Sequence, residues 1–155
     1  MNDNTALEQQ MNDILSRYPT KSSALLPLMW ACQRQQGWLS PETIDDLAER
    51  TSLSPTAVQS IASFYTMFHL EPPAKYLIQI CASLSCHLCK SGKLLRHLEQ
   101  RLGISGGEST PDQRFAIVLV QCLGSCDGAP VVRINDRAYS EQTPESLDRV
   151  LDALP

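Results

Sequence analysis

The sequence lacks any apolar run near the ~20 residues of a membrane span, and it has no cluster of basic residues. Among 155 residues the acids outnumber the bases, 17 to 13, for a net charge of −4. The missing apolar run argues against direct insertion into a membrane, and the charge balance without a basic cluster argues against nucleic acid as a partner. Met1-Asn2-Asp3-Asn4-Thr5 has neither a basic n-region nor an apolar h-region, so it reads as something other than a secretory signal. Internal repeats and low-complexity runs are missing too. Hydrophobic residues make up 43%, enough for a packed interior and too many for wholesale disorder. The expectation is a cytoplasmic chain in which disulfides are disfavoured.

What the chain has in excess is cysteine, six in all. Cys32 stands alone; Cys81, Cys86, Cys89, Cys122 and Cys126 crowd one stretch. In a reducing compartment these are metal ligands, redox thiols or buried apolar residues. Their clustering predicts two parts, 1–71 as a scaffold and 72–155 as the site-bearing domain. Glu71-Pro72-Pro73-Ala74-Lys75 marks the break, because paired prolines stop a helix and favour extended chain.

The first part reads as helices. Leu25, Leu28, Met29 and Cys32 follow i, i+3, i+4, i+7 spacing, so Cys32 is assigned to the core. Gly37 is placed to end that helix. Ser40-Pro41-Glu42 and Ser54-Pro55 are helix starts, with an N-cap followed by proline at the first helical position. Ile44, Leu47 and Ala48, then Val58, Ile61, Ala62 and Tyr65, supply apolar faces. Residues 5–18 are helix-compatible. Phe64-Tyr65-Thr66-Met67-Phe68 is the densest aromatic stretch, and it suits either core packing or an exposed anchor.

The second part reads as α/β. Tyr76 to Ile80 is a short strand ending at Cys81, and Ser91 to Leu102 is a helix. Phe115 to Val120 is an uninterrupted apolar run, expected to be buried on both faces and central in its sheet. Val131 to Ile134 and Ala138 to Tyr139 flank Asn135-Asp136-Arg137 as a hairpin, and Thr143-Pro144-Glu145 opens a last helix. A β-α-β unit followed by a hairpin and a helix is the layout of a thioredoxin-like sheet.

Three chemistries compete for the cysteines. Cys86-His87-Leu88-Cys89, between a strand and a helix, suits a dithiol with Cys86 activated by the helix N-terminus. It leaves Cys81, Cys122 and Cys126 unexplained. Cys86-x2-Cys89 with Cys122-x3-Cys126 suits a structural zinc site and leaves Cys81 idle. Cys81-x4-Cys86 with Cys122-x3-Cys126 gives two pairs at strand ends, which suits a [2Fe–2S] cluster. Ser83, Ser85, Gly124, Ser125 and Gly128 are small enough to let backbone N–H groups approach the sulfurs. Cys81-x4-Cys86-x2-Cys89 also fits plant-type ferredoxin spacing, but that pattern ignores the second pair.

Cys122-Leu123-Gly124-Ser125-Cys126-Asp127-Gly128-Ala129-Pro130 resembles the C-L-G-x-C-x-x-A-P signature of thioredoxin-like [2Fe–2S] subunits. That family includes the small iron–sulfur subunit of NADH:quinone oxidoreductase (respiratory complex I) that lies next to the flavin. It also includes the matching subunits of NAD-linked hydrogenases and formate dehydrogenases. Gly37-Trp38-Leu39, Phe64–Phe68, Cys81-x4-Cys86 and Gly107-Glu108-Ser109-Thr110, followed by Asp112 and Phe115, agree in order, and the resemblance runs from about Leu25 to Leu151. It implies an α+β protein, an N-terminal helical bundle followed by a thioredoxin-like [2Fe–2S] ferredoxin domain. It implies that Cys81, Cys86, Cys122 and Cys126 ligate the cluster. It further implies an electron-transfer subunit of an NADH dehydrogenase complex, docked in part through its helices on a subunit that carries FMN and the NADH site. This chain alone would turn over no substrate, and it would sit at the inner face of the membrane only through the complex. The departure is Cys89. The family usually has glycine a few residues after the second cysteine, and here Cys86-His87-Leu88-Cys89-Lys90-Ser91-Gly92 follows. Cys89 reads as a free thiol and His87 as a non-ligand.

Overall fold

The computed structural model describes the backbone of residues 3–155 and the side chains from residue 5 onward. Met1 and Asn2, part of the stretch read above as lacking a signal, lie outside the described residues. The chain divides into two compact units, Met1–Pro73 and Ala74–Pro155.

Among the described residues the first unit holds four α-helices, α1 (Asp3–Arg17), α2 (Leu25–Gln36), α3 (Pro41–Thr51) and α4 (Pro55–Phe64), with a 3-10 turn at Ser22–Ala24 ahead of α2. Their ends follow local chemistry. Gly37 caps α2 at φ 85°, a left-handed conformation that costs glycine nothing. The Ser40 and Ser54 hydroxyls accept from the N–H groups of Thr43 and Ala57, satisfying donors that the first turns of α3 and α4 leave free. Leu25, Leu28, Met29, Cys32, Ile44, Leu47, Ala48, Val58 and Ala62 form one core with Leu7 and Met11 of α1. Burying each leucine contributes roughly 1.5–3 kcal/mol. The aromatic pentapeptide divides between burial and exposure. Phe68 is buried in this core and Tyr65 packs against it, while Phe64 is 76% and Met67 43% exposed. Helix α4 ends at Phe64, so the residues beyond it leave the helical phase. Gln33 fixes the chain that follows: its side-chain N–H donates to Met67 O at 2.8 Å, and its Oε1 accepts from His69 N at 2.7 Å.

The second unit is a four-stranded sheet with helices. Its strands are β1 (Tyr76–Cys81), β2 (Phe115–Val120), β3 (Val132–Ile134) and β4 (Arg137–Tyr139), in the order β2-β1-β3-β4. β1 and β2 run parallel, joined through α5 (Leu84–Leu88) and α6 (Ser91–Leu102); β3 is antiparallel to both β1 and β4. The last helix, α7 (Pro144–Asp152), opens with a capping box between Thr143 and Ser146. Ile78, Ile80, Leu94, Leu98, Ile117, Val132, Ile134, Leu147 and Leu151 make the core.

Two sequence readings need correction here. β2 is an edge strand, not the central one; β1 is central, and Leu119 of β2 is 46% exposed. The apolar run is explained by what covers that edge. Gly107 N donates to Ile117 O, Ile117 N to Glu108 O and Thr110 N to Phe115 O, so residues 107–110 occupy hydrogen-bonding positions a neighbouring strand would use. The hairpin turn is Asn135-Asp136 alone, with Asn135 at φ 50°; Arg137 belongs to β4.

Candidate metal centre

The register of β1 and β2 builds the site. Cys81 pairs with Val120 at the last position of the parallel ladder, so the two strands release their following loops side by side. The first loop turns into α5, which buries Cys86 and leaves Leu84 and Leu88 73% and 71% exposed. The second runs from Gln121 through Cys122 to a single 3-10 turn over Cys126–Gly128. Gly124 stands at φ 76°, and a Cβ on Gly128 would lie 2.5 Å from the Ser140 Cβ, so both positions require glycine.

A small cluster of buried residues, Cys81, Cys86 and Val131, sits between these loops, with Leu123 and Ala129 packed against it. Its sulfurs are met by backbone groups. The Cys81 thiol donates to Gln121 O at 3.7 Å and receives the N–H groups of Ser83 and Leu123. Burial pushes the Cys81 thiol up, yet these N–H groups together with the Cys86 thiol outweigh burial and bring it below its ordinary value. Cys86 goes the other way. Burial, then the neighbouring Cys81 and Cys126, raise it, and the N–H of Val131 only partly compensates. Gly124 N donates to the Cys122 sulfur at 3.3 Å.

The structure therefore joins Cys81 to Cys86 by a hydrogen bond and brings Cys126 within electrostatic reach of Cys86. Cys122 is exposed on the same loop, and its two neighbours, Gln121 and Leu123, both bond the Cys81 sulfur. Cys89 is exposed at the end of α5, and Cys32 is buried in the helical unit. Among the described residues no three or more His, Cys, Asp or Glu side chains form a group that could hold one metal ion; the sulfur contacts are pairwise. The donor set of two cysteine pairs on adjacent loops, each with backbone N–H groups aimed at sulfur, fits a [2Fe–2S] group, which takes four thiolates. Ser83 and Gly124 are among the small residues that the sequence marks for this role. Leu123 and Val131 are not, because a backbone N–H is carried by every residue except proline and leaves no mark in side-chain chemistry.

The dithiol alternative finds no support in this geometry. The helix behind the C-x-x-C starts at Ser91, as its spacing predicts, but Cys86 lies inside a separate short helix, α5, and not at the N-terminus of α6. Cys86 is buried with a raised pKa, the opposite of an accessible attacking thiolate.

Known proteins agree with this picture. The profile of the thioredoxin-like [2Fe–2S] ferredoxin family matches residues 11–155. The chain is 40% identical over 133 residues to NADH-quinone oxidoreductase subunit 2 of Thermus thermophilus, covering 84% of this chain and 74% of that protein. It is 38% identical over 148 residues to the mitochondrial NADH dehydrogenase [ubiquinone] flavoprotein 2 of Dictyostelium discoideum, covering 94% of this chain and 60% of that protein. Among solved structures, NAD+-reducing [NiFe]-hydrogenase in the H2-reduced state matches with a TM-score of 0.75 and 26% identity. That match covers 86% of this chain and spans 23% of the hydrogenase chain. This chain belongs to the thioredoxin-like [2Fe–2S] ferredoxin family.

Proposed function

We propose that this protein is the electron-transfer subunit of an NADH:quinone oxidoreductase, holding one [2Fe–2S] cluster on Cys81, Cys86, Cys122 and Cys126. The observation that carries this reading is the pair of loops at the ends of β1 and β2, whose N–H groups from Ser83, Leu123, Gly124 and Val131 converge on three of these sulfurs. When bound, such a cluster supplies one-electron redox chemistry, more negative in its reduced state. The chain's own part is to fix the sulfurs, to stabilise that negative charge with backbone donors and to shield Cys81 and Cys86 from water. Cys122 and Cys126 remain exposed, leaving one side of the site open to an electron partner.

In this reading residues 72–155 hold the cluster, and residues 1–71 form a scaffold that helps dock the chain. The docking partner is the subunit that carries FMN and oxidises NADH. The assembly works on the cytoplasmic side of the membrane, and none of this chain's described helices is long and apolar enough to cross it. The 86% coverage by the hydrogenase match favours one further reading, the matching subunit of an NAD-reducing hydrogenase, with formate dehydrogenase as the related alternative.

Visible absorption and EPR spectra of anaerobically purified protein, before and after dithionite, test the cluster. A brown protein that bleaches and gives one S = 1/2 signal supports it. A protein that stays colourless after iron–sulfur reconstitution overturns it. Electron donation from NADH or from H2 to the assembled complex separates the two parent enzymes.

A further inference from the structure

The two edges of the sheet are treated differently. Residues 107–110 cover β2, whereas β4 ends the sheet on the other side. In the two-residue hairpin Ile134 and Arg137 close the turn, so Ala138 stands opposite Arg133 as a pair that exchanges no hydrogen bonds. Asn135 N bonds Leu77 O on the other flank of β3, which fixes the same alternation. The N–H and C=O of Ala138 therefore face outward along the open edge.

Beside that edge lies a groove of about 460 Å³ between β4 and α7, lined by residues that include Arg137, Tyr139, Ser146, Arg149 and Val150. The chain is acidic overall, yet both charged residues of this groove are arginines. Neither has a carboxylate partner among the described residues. Arg137 stacks over the Tyr139 ring at 5.2 Å, and Arg149 Nε donates to Glu145 O, which leaves their remaining guanidinium N–H groups free. Of the three acids of α7, Asp148 and Asp152 bind Arg101 of α6 and Asp148 also binds His97, while the carboxylate of Glu145 accepts from its own N–H and from the Thr143 hydroxyl. Asp136, next to the hairpin, pairs with Arg133 at 3.5 Å.

We propose that this groove binds an extended acidic segment of another subunit, which pairs with Ala138 along the free edge of β4 and sets its carboxylates against Arg137 and Arg149. Edge pairing supplies main-chain hydrogen bonds, and the two arginines select for carboxylates, the geometry that guanidinium groups bind in bidentate fashion. The inference rests on the chain being one subunit of a larger assembly.

The test uses the full chain expressed with its neighbouring subunits, with Ala138 replaced by the photo-cross-linker benzoylphenylalanine. Mass spectrometry identifies the cross-linked peptide. The expected product joins this position to a segment of another subunit with Asp or Glu at alternate positions. The double variant Arg137→Glu/Arg149→Glu should lower its yield at least tenfold while visible absorption stays unchanged. Four results overturn the proposal: a cross-link to a segment without acids, a cross-link to a second copy of this chain, no cross-link within an intact assembly, or a yield indifferent to the arginines. A chain that purifies alone and stays colourless after iron–sulfur reconstitution overturns the proposed function and this inference with it; a coloured, assembled chain without the cross-link overturns only the inference.

Discussion

Both units bury cysteine, and they do so to different ends. Cys32 is sealed in the helical core, where burial first and then the charges of Asp46 and Glu8 push its thiol up to about 11. Cys81 is likewise hidden from solvent, yet its thiol falls below the ordinary value because the N–H of Ser83, the Cys86 thiol and the N–H of Leu123 reach its sulfur. A helix interior spends its N–H groups on its own carbonyls four residues back. A loop leaving a strand end has N–H groups to spare. Burial alone makes cysteine a small hydrophobe; two amides and a neighbouring thiol let Cys81 hold negative charge, whereas the single amide of Val131 does not bring Cys86 down.

Alanine substitutions should separate the two kinds of sulfur most sharply. Cys122→Ala is expected to lose at least nine-tenths of the visible absorption and EPR signal per chain, whereas Cys32→Ala and Cys89→Ser keep both. The iron content of reconstituted variants, measured alongside, checks the result. A Cys122→Ala protein that stays brown would remove Cys122 from the ligand set, and a Cys89→Ser protein that turns colourless would put Cys89 into it.

The next effect concerns packing. Leu28 is fully buried in the helical core, and Leu28→Ala should cost that unit about 2–5 kcal/mol, the range for emptying a leucine site. The only two tryptophans, Trp30 and Trp38, both lie in the helical unit, so tryptophan fluorescence in a urea titration reports on that unit. Visible absorption in the same titration reports on the other. A fluorescence midpoint that does not move would place Leu28 outside the stabilising core.

The raised thiol of Cys32 also predicts a pH dependence. Folding favours its protonated form, with a folded value of about 11 against an ordinary 9.0. That contribution is complete below about pH 9 and is lost as the pH rises through 11, because the unfolded chain releases the proton first. Urea midpoints measured from pH 8 to 11 should therefore fall more steeply for the native chain than for Cys32→Ala. Parallel curves would mean that burial does not hold the thiol protonated.

Much of this is legible in the sequence, for identifiable reasons. Helix faces repeat every 3.6 residues, and caps follow short local rules, so Leu25–Cys32, Gly37, Ser40-Pro41 and Thr143-Pro144 can be read directly. The cysteine pairs stand out by spacing. The edge position of β2 is not legible, because an apolar run shows that a strand is covered but not what covers it; here residues 107–110 take the place of a strand. Helix α5 escapes a sequence reading because five residues are too few to show a period. Leu123 and Val131 act through backbone N–H groups, which composition does not record.

The smallest effect sharpens the comparison at the helix starts. Ser40, Ser54 and Thr143 each cap a helix ahead of proline, but only Thr143 takes part in a reciprocal pair. Its hydroxyl accepts from Ser146 N at 3.2 Å, and the Ser146 hydroxyl accepts from Thr143 N at 2.9 Å. Ser54→Ala removes one acceptor at an exposed end, where water replaces it, and should cost about 0.5–1 kcal/mol. Thr143→Ala also loses one acceptor directly, but it releases the rotamer of Ser146 and loosens the return bond, so its cost should approach about 1–2 kcal/mol. Ser146→Ala leaves the Thr143 acceptor in place and should fall between them. Urea midpoints for Thr143→Ala, Ser146→Ala and the double variant form a cycle. A double variant whose loss equals the sum of the single losses would show two independent bonds; a smaller loss is expected, because each hydroxyl holds the other in position.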